Sequence, residues 1–106
     1  MLIYNVTCKV SWSIHEAWVQ WMKEKHIPEV MSKACFTEYR FARLLDIEEE
    51  EGPTYTIQYS ALTRDQYERY IDLFAPALRK DITKNWGDQV IAFRTLMELV
   101  NLVWID

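Results

Sequence analysis

Apolar and polar residues alternate along the first ten residues of the chain. Between residues 2 and 11 the apolar side chains recur at every second position, and more polar ones lie between them. This period of two is typical of a strand with one buried face. Similar patterns return further along the chain. The sequence therefore predicts four strands, at residues 2–11, 36–47, 54–62 and 89–100.

A helix is predicted between the first and second strands, because the apolar residues there share one helical stripe. The stripe consists of Ile14, Ala17, Trp18, Trp21 and Met22. Ser13 and Glu16 have the spacing of a capping box, which starts a helix. Pro28 disfavours helical geometry at the residue before it, so we expect the helix to break at Ile27. Pro28 can then begin a short second turn of helix.

A second helix is predicted at residues 63–84, after the third strand. Thr63 occupies its N-cap position. Pro76 lies inside the apolar pattern and is expected to kink or split the helix. Asn85 and Gly87 are the predicted terminators.

Four consecutive glutamates precede a Gly–Pro pair in residues 48–53, between the second and third strands. Crowded like charges oppose burial, so we interpret this segment as a solvated hairpin tip. The alternative, an acidic cation site, is less well supported because the alternating ligand spacing of such loops is missing.

The predicted element order, βαββαβ, is that of the ferredoxin-like α+β fold. Residues 1–106 are expected to form a single domain, with two helices on one face of a four-stranded antiparallel sheet. The other face is predicted to carry Ile3, Asn5, Thr7, Thr56, Gln58, Ala92, Arg94 and Leu96. This mixture is too apolar for free exposure, so we expect a homodimer that packs this face against the same face of a second copy.

The high content of hydrophobic and aromatic residues supports the presence of an interface between subunits. Half of the 106 residues are hydrophobic, including five Trp and six Tyr, which is more than a small monomer usually needs. Trp104, in the tail, requires cover from this subunit or another. The net charge of −4 argues against nucleic acid as a partner, and no polybasic patch for a membrane is present.

The chain enters a strand pattern at once, without a secretion signal, and the apolar stretch 96–105 is too short to span a bilayer. Only two cysteines are present, Cys8 and Cys35, and such sparse usage fits a reducing compartment. We therefore expect a cytoplasmic protein. Cys8 lies on the apolar face of its strand and is interpreted as a buried small hydrophobe.

Six ordered segments of the chain resemble a family of short bacterial proteins catalogued as a domain of unknown function. The segments are 2–7, 18–22, 26–28, 43–45, 55–59 and 92–95. That family is similar to the dimeric α/β-barrel superfamily, which includes cofactor-free monooxygenases, haem-degrading monooxygenases and muconolactone isomerases. The resemblance implies the fold and the dimer, with a pocket between the helices and the sheet. Haem-degrading members use a strand-one Asn, matched by Asn5, and a His on the second helix, which has none here.

Three residues are weak catalytic candidates. They are His26, Asn5 and Tyr59. His26 is a pocket acid or base in one interpretation, and in the simpler one a helix-ending residue bonded to the backbone. No phosphate loop, CxxC or HExxH motif is present, so we predict neither a cofactor nor a metal.

Five further residues are candidates for ligand binding. They are Trp18, Trp21, Tyr55, Gln58 and Arg94. The aromatic members are suited to a flat organic ligand, although core packing is the simpler alternative. Gln58, Arg94 and Asn5 form either a network that locks the dimer or a carbonyl or carboxylate site, with Arg94 as the anion clamp.

Three functions remain open. The first is a small-molecule-binding or regulatory module that takes an apolar or aromatic ligand. The second is a cofactor-independent oxygenase or isomerase that acts on a flat aromatic or enolisable compound. The third is a purely structural dimer with a solid core. A cavity of several hundred Å³ between helices and sheet would favour the first two.

Overall fold

The four predicted strands pair into one antiparallel sheet. In the computed structural model, which describes residues 1–103, they are β1 (Leu2–Val10), β2 (Glu38–Arg43), β3 (Thr54–Ala61) and β4 (Val90–Glu98). Their order across the sheet is β2-β3-β1-β4. β1 lies in the centre, antiparallel to both β3 and β4. This order is that of the ferredoxin-like fold, so the predicted fold class is confirmed.

Four α-helices pack against one face of the sheet. They are α1 (His15–Trp21), α2 (Ile27–Ser32), α3 (Arg64–Leu73) and α4 (Ala75–Trp86). Short 3-10 turns precede α1 and follow α4, at Trp12–Ile14 and Gly87–Gln89. None of the described helices is both long and apolar enough to cross a membrane. The expectation that Trp104 needs cover concerns a residue outside the described part of the chain.

The core lies between the helices and β1 and β3. Its sheet side consists of alternate residues of the two strands, because side chains alternate across a pleated sheet. The buried sheet residues are Tyr4, Cys8, Val10, Ile57, Tyr59 and Ala61. Trp18, at 1% exposure, is the largest fully buried side chain on the helical side. Cys8 is thus buried, as predicted.

The predicted capping box at the start of the first helix is wrong. Ser13 lies inside the 3-10 turn, and no side chain caps α1. The turn forms instead because the Ile14 N–H donates to the Ser11 carbonyl at 3.1 Å. The Trp12 indole also donates to the Glu49 carbonyl at 2.8 Å, which ties this turn to the acidic loop.

The predicted break at Ile27 is also wrong, because Ile27 keeps helical angles of φ −63° and ψ −44°. The segment Met22–His26 is a π-helix that joins α1 to α2. The Ile27 N–H reaches back five residues to the Met22 carbonyl. Pro28 has no N–H to donate, and a widened turn is one way for a helix to continue past a proline. The proline therefore widens the helix where we expected it to end.

The predictions for the second helix are largely confirmed. The Thr63 hydroxyl accepts a hydrogen bond from the Gln66 N–H at 3.2 Å. The helix splits into α3 and α4 at Phe74, two residues before Pro76. Of the two predicted terminators, Gly87 follows the last residue of α4 with φ of +59°, whereas Asn85 lies within the helix.

β2 is shorter than the predicted strand 36–47. Ala34 and Asp46 have positive φ angles of 60° and 59°, so the chain turns on both sides of Glu38–Arg43. The acidic loop after β2 is partly paired rather than wholly solvated. Arg43 forms an ion pair with Glu49 at 2.9 Å, and Lys9 forms one with Glu51 at 3.3 Å.

The register of β4 reverses the predicted faces of that strand. Leu96, Arg94 and Ala92 lie opposite Tyr4, Val6 and Cys8 of β1, so these six side chains share the helix-covered face. The assignment of Ala92, Arg94 and Leu96 to the uncovered face was therefore wrong. The apolar residues that β4 presents on the uncovered face are Ile91, Phe93 and Met97, which are 50%, 65% and 38% exposed.

We expect Gly52→Ala to destabilise the fold by more than about 4 kcal/mol, because the backbone of β1 or of the loop must shift to admit the added Cβ. A Cβ at Gly52 would lie 1.7 Å from the Val10 carbonyl oxygen. Gly87→Ala meets no atom within 4 Å and is strained only by its φ of +59°. Its expected cost is roughly 1–3 kcal/mol. Urea unfolding of both variants measures the difference, and equal losses would contradict the packing of the loop against β1.

Candidate functional site

A cavity lies between the sheet and the helices, with a volume of about 30 Å³. Its wall comprises residues of the strands β1, β3 and β4 and of the helical elements α1, the π-helical segment, α3 and α4. The polar lining residues are Tyr4, His26, Tyr59, Tyr70, Arg79 and Arg94. Apolar side chains such as Met22, Ile57 and Leu78 form the rest of the wall.

The volume of this cavity limits what it holds. About 30 Å³ accommodates one or two water-sized groups. A flat aromatic ligand requires several hundred Å³, so the wall must move before such a compound enters. In this conformation the cavity therefore matches only a small chemical group.

Apart from the tyrosines, His26 is the only buried polar residue in the core of the described chain, with 6% exposure. The π-helical segment places it at the cavity, and its ring stacks on Trp21 with centroids 5.1 Å apart. Burial lowers the pKa of His26 to about 4, although the nearby negative charge of Asp81 acts to raise it. The imidazole is therefore neutral at pH 7. Its Nδ1 atom has no hydrogen-bond partner among the described residues.

Tyr4 brings a hydroxyl into the same cavity from the middle of β1. The Arg79 guanidinium donates to that hydroxyl at 3.1 Å. The ring of Tyr4 is enclosed by other aromatic rings, with centroids 5.6–6.1 Å away. These rings belong to Phe36, Tyr59, Tyr67 and Tyr70. Burial raises the pKa values of Tyr59 and Tyr70, so both phenols stay protonated and can act as donors.

Arg79 and Arg94 stand at the solvent side of the cavity, since both line it and both are exposed residues. Arg79 comes from α4 and Arg94 from the edge strand β4. Neither forms an ion pair within residues 1–103. Asp81, the acid whose charge acts on His26, lies 3.9 Å from Lys25 and does not line the cavity. The lining therefore carries two positive charges and no negative one.

The structure brings together four of the predicted site residues. His26, Tyr59, Trp18 and Arg94 all line the cavity. Trp21 lies behind His26, as the ring on which the imidazole stacks.

Asn5 and Gln58 are not part of this group. They lie opposite each other in β1 and β3, on the uncovered face of the sheet. Asn5 donates there to Thr7 and Thr95, at 3.1 and 3.2 Å. The predicted network of Asn5, Gln58 and Arg94 is therefore divided between the two faces. A catalytic set that joins Asn5 to His26 is not formed within this chain.

Tyr55 belongs to a separate cluster at the end of the sheet. Its hydroxyl lies 2.7 Å from Nε2 of His15. The Arg43 guanidinium lies over the rings of Tyr55 and Trp12, at 6.0 and 5.8 Å. These contacts fasten the acidic loop to the start of α1, away from the cavity.

Sequence analysis missed Arg79 and Tyr4 as site residues. A signal existed for Arg79, because it lies four residues after Ala75 and three before Ile82, on the apolar stripe of α4. Tyr4 was recognised only as part of an apolar strand face.

Neither a metal site nor a reactive thiol accompanies the cavity. Within residues 1–103 no three His, Cys, Asp or Glu side chains are grouped as metal ligands. Burial raises the pKa of Cys8 to about 12, so its thiol stays protonated at pH 7.

The family was identified by comparison of sequences. The profile of a family described as a domain of unknown function, DUF4286, matches residues 1–100. The chain belongs to this family. Among curated proteins no match was found.

Solved structures similar to this DUF4286 chain share its fold at low sequence identity. A dimeric ferredoxin-like protein from an uncultured marine organism has a TM-score of 0.70 and 11% identity, covering 99% of this chain and 100% of its own. A protein named as an antibiotic biosynthesis monooxygenase from Deinococcus radiodurans has a TM-score of 0.69 and 14% identity, with 100% and 99% coverage. An ethyl tert-butyl ether D family protein from Bacillus halodurans has a TM-score of 0.68 and 13% identity, with 94% and 100% coverage.

The buried neutral His26 should make the stability of this DUF4286 chain depend on pH. Between its ordinary pKa of 6.5 and its folded pKa of about 4, the unfolded chain binds a proton that the folded chain does not. The contribution of His26 to the free energy of unfolding should therefore be constant above pH 6.5 and fall by roughly 3 kcal/mol towards pH 4. Urea unfolding at a series of pH values measures this loss.

The variant His26→Gln isolates the effect from that of the carboxylates, because its stability should lack this part of the slope. His15→Gln, at the other histidine, should retain it. Parallel pH curves for wild type and His26→Gln would show that His26 titrates normally in the folded state.

Proposed function

We propose that this protein is a homodimeric module that binds a small molecule in the cavity between its helices and sheet. One observation carries the proposal, namely that polar groups converge on a cavity inside an otherwise apolar core. His26 has an unpartnered buried nitrogen, and Tyr4 and Arg79 meet at the same space. A core that serves only packing excludes such groups or satisfies them internally, since an unpaired buried polar atom costs about 1–3 kcal/mol.

A ligand larger than one or two water-sized groups fits the cavity only if the side of the cavity that faces solvent opens. The side chains there are Arg79 and Arg94, which are long and exposed. Long exposed side chains change rotamer readily, whereas the buried aromatic wall is close-packed. We therefore assign the entry of ligand to the gap between α4 and β4.

The homodimer is supported by the uncovered face of the sheet. Phe93, Ile91 and Met97 present apolar surface in a row along β4. Apolar patches of this kind mark interaction sites. Asn5, in the centre of the face, also has a buried Oδ1 without a partner among the described residues. A second copy supplies both apolar cover and hydrogen-bond donors, and solved relatives of this fold are described as dimeric.

A cofactor-independent oxygenase or isomerase is the second candidate. It is favoured by the neutral imidazole of His26, which lines the cavity together with Tyr59, because a neutral imidazole can accept a proton. A solved structure of similar fold is named as an antibiotic biosynthesis monooxygenase. Turnover of a bound compound that is lost in His26→Gln, with binding retained, would favour the enzyme over the module.

Filling part of the cavity should weaken ligand binding. Ala92 lines the cavity from β4, and Ala92→Val adds a β-branched side chain that suits a strand. We expect phenol, benzamide, acetate and benzoate, titrated singly, to include at least one compound that saturably shifts the amide signals of cavity residues. Ala92→Val should weaken that binding by at least about tenfold.

Ala42→Val is the matched control, because Ala42 is an exposed strand residue on the uncovered face. It should leave the same titration unchanged. If none of the four compounds shifts cavity signals in the wild type, or if both variants bind as the wild type does, the binding module is wrong.

A charge placed on the uncovered face should separate the dimer. Phe93→Glu buries two like charges across a two-fold interface and should raise the dimer dissociation constant by more than about tenfold. Leu73→Glu is the matched control, because Leu73 is 64% exposed and lies on α3, on the other side of the sheet. Sedimentation over a range of concentrations gives both constants. A wild-type chain that sediments as a monomer at every concentration would refute the dimer.

A further inference from the structure

We infer that the ligand of the cavity is a small organic carboxylate, received at its charged end by Arg79 and Arg94. The inference rests on the proposed binding function and adds the chemical class of the ligand. It uses three features of the site, which are its charge, its donors and its size.

The charge of the lining is the first feature. Two arginines line the cavity and no carboxylate does, and His26 is neutral at pH 7. Asp81 is near enough to influence the His26 ring but lies outside the lining, 3.9 Å from Lys25. An apolar wall screens charge less than water does, so two uncompensated cations at its rim attract an anion.

The arginines also differ from several other cations of the molecule, although Lys23, Lys33, Arg40, Lys80 and Lys84 likewise form no ion pair within residues 1–103. Arg43, Arg64, Lys9 and Lys25 each lie within 4.0 Å of a carboxylate. Arg69 donates to the Lys33 carbonyl and to Cys35. Arg79, by contrast, is held by a neutral phenol at the cavity. The hydrogen bond to Tyr4 therefore holds the Arg79 side chain in place without neutralising its charge.

The donors are the second feature. The hydroxyl of Tyr4 accepts from Arg79 and keeps its own proton to donate. The unpartnered Nδ1 of His26 becomes a donor in the tautomer that carries its proton there. Two planar guanidinium groups, a phenol and an imidazole thus offer hydrogen bonds to oxygen atoms, and arginine matches a carboxylate with two parallel bonds.

The size is the third feature, and it selects among anions. The cavity of about 30 Å³ has room for one or two water-sized groups, such as the two oxygens of a carboxylate, and apolar side chains surround it. A phosphate group brings more oxygens and up to two charges, and each further charge is costly to bury against a mostly apolar wall. The remainder of a carboxylic acid is apolar and suits contact with Met22, Leu78 and Ile82.

Acetate and acetamide provide a matched pair of probes, because they are nearly equal in shape and differ in charge. We expect acetate to shift the amide signals of cavity residues saturably, with a dissociation constant in the millimolar range. Acetamide should shift them at least about tenfold more weakly. Sodium chloride replaces sodium acetate at equal ionic strength in the reference titration, which separates a specific site from general screening.

Arg79→Gln and Arg94→Gln should each weaken acetate binding by about tenfold. Arg64→Gln is the matched control, because Arg64 lies on α3 outside the cavity lining. It should leave the constant unchanged. The amide spectra of the three variants report whether each remains folded, and both cavity arginines are exposed, which makes folding of the variants the expected result.

The outcomes distinguish this inference from the function on which it rests. If phenol or benzamide binds at the cavity while acetate does not, the carboxylate class is wrong and the binding module stands. Equal binding of acetate and acetamide, or tighter binding of inorganic phosphate, also overturns the class. If acetate binds but neither arginine variant weakens it, the assignment of Arg79 and Arg94 is wrong. If none of the probes binds, both the assignment of a carboxylate ligand and the proposed binding function are wrong.

Discussion

The pairing of β1 with two neighbours is the constraint on which the rest of the structure depends. β1 is antiparallel to β3 on one side and to β4 on the other, over its whole length. Because side chains alternate between the two faces of a sheet, the register of β1 with its neighbours determines on which face each residue of the three strands lies. A shift of one residue in the pairing of β4 would exchange Arg94 for Phe93, removing a cation from the cavity and an aromatic ring from the uncovered face.

The two faces created by this pairing have different chemistry. The helix-covered face is aromatic and dry, and His26 is neutral there because solvent is excluded. The uncovered face combines apolar residues of β4 with the amide of Asn5 in the centre of the sheet. The proposed ligand site lies on the first face, and the proposed dimer interface on the second. Solved proteins of similar fold differ in name and share little sequence, so the function must be argued from these side chains.

Much of the fold was predictable from the sequence, because local patterns determine it. The alternation in β1, the cap at Thr63 and the proline at 76 each act over a few residues, and the structure confirms all three. The faces of β4 were not predictable in this way. That strand carries apolar residues at consecutive positions, such as Ile91, Ala92 and Phe93, so its pattern does not favour either face. Only the hydrogen-bonded register with β1 decides between them.

The candidate site was predictable in part for the same reason. His26, Trp18 and Tyr59 lie on apolar patterns that also place them in the core. The π-helical segment that carries His26 has no simple sequence signal, since a proline more often ends a helix than widens it. Arg79 reaches the cavity through a contact with Tyr4, 75 residues away in the chain. Contacts between residues so far apart in the chain depend on the assembled fold. The sequence around either residue therefore does not predict them.

An isotope-filtered NOE experiment on a mixture of labelled and unlabelled chains tests the assignment of faces most directly. The account predicts that the Ala92 methyl group contacts Met22 or Leu78 of its own chain, whereas the Phe93 ring shows contacts to the other chain. Contacts of Ala92 or Arg94 to the other chain, with Phe93 against the helices of its own, would contradict the register and everything derived from it.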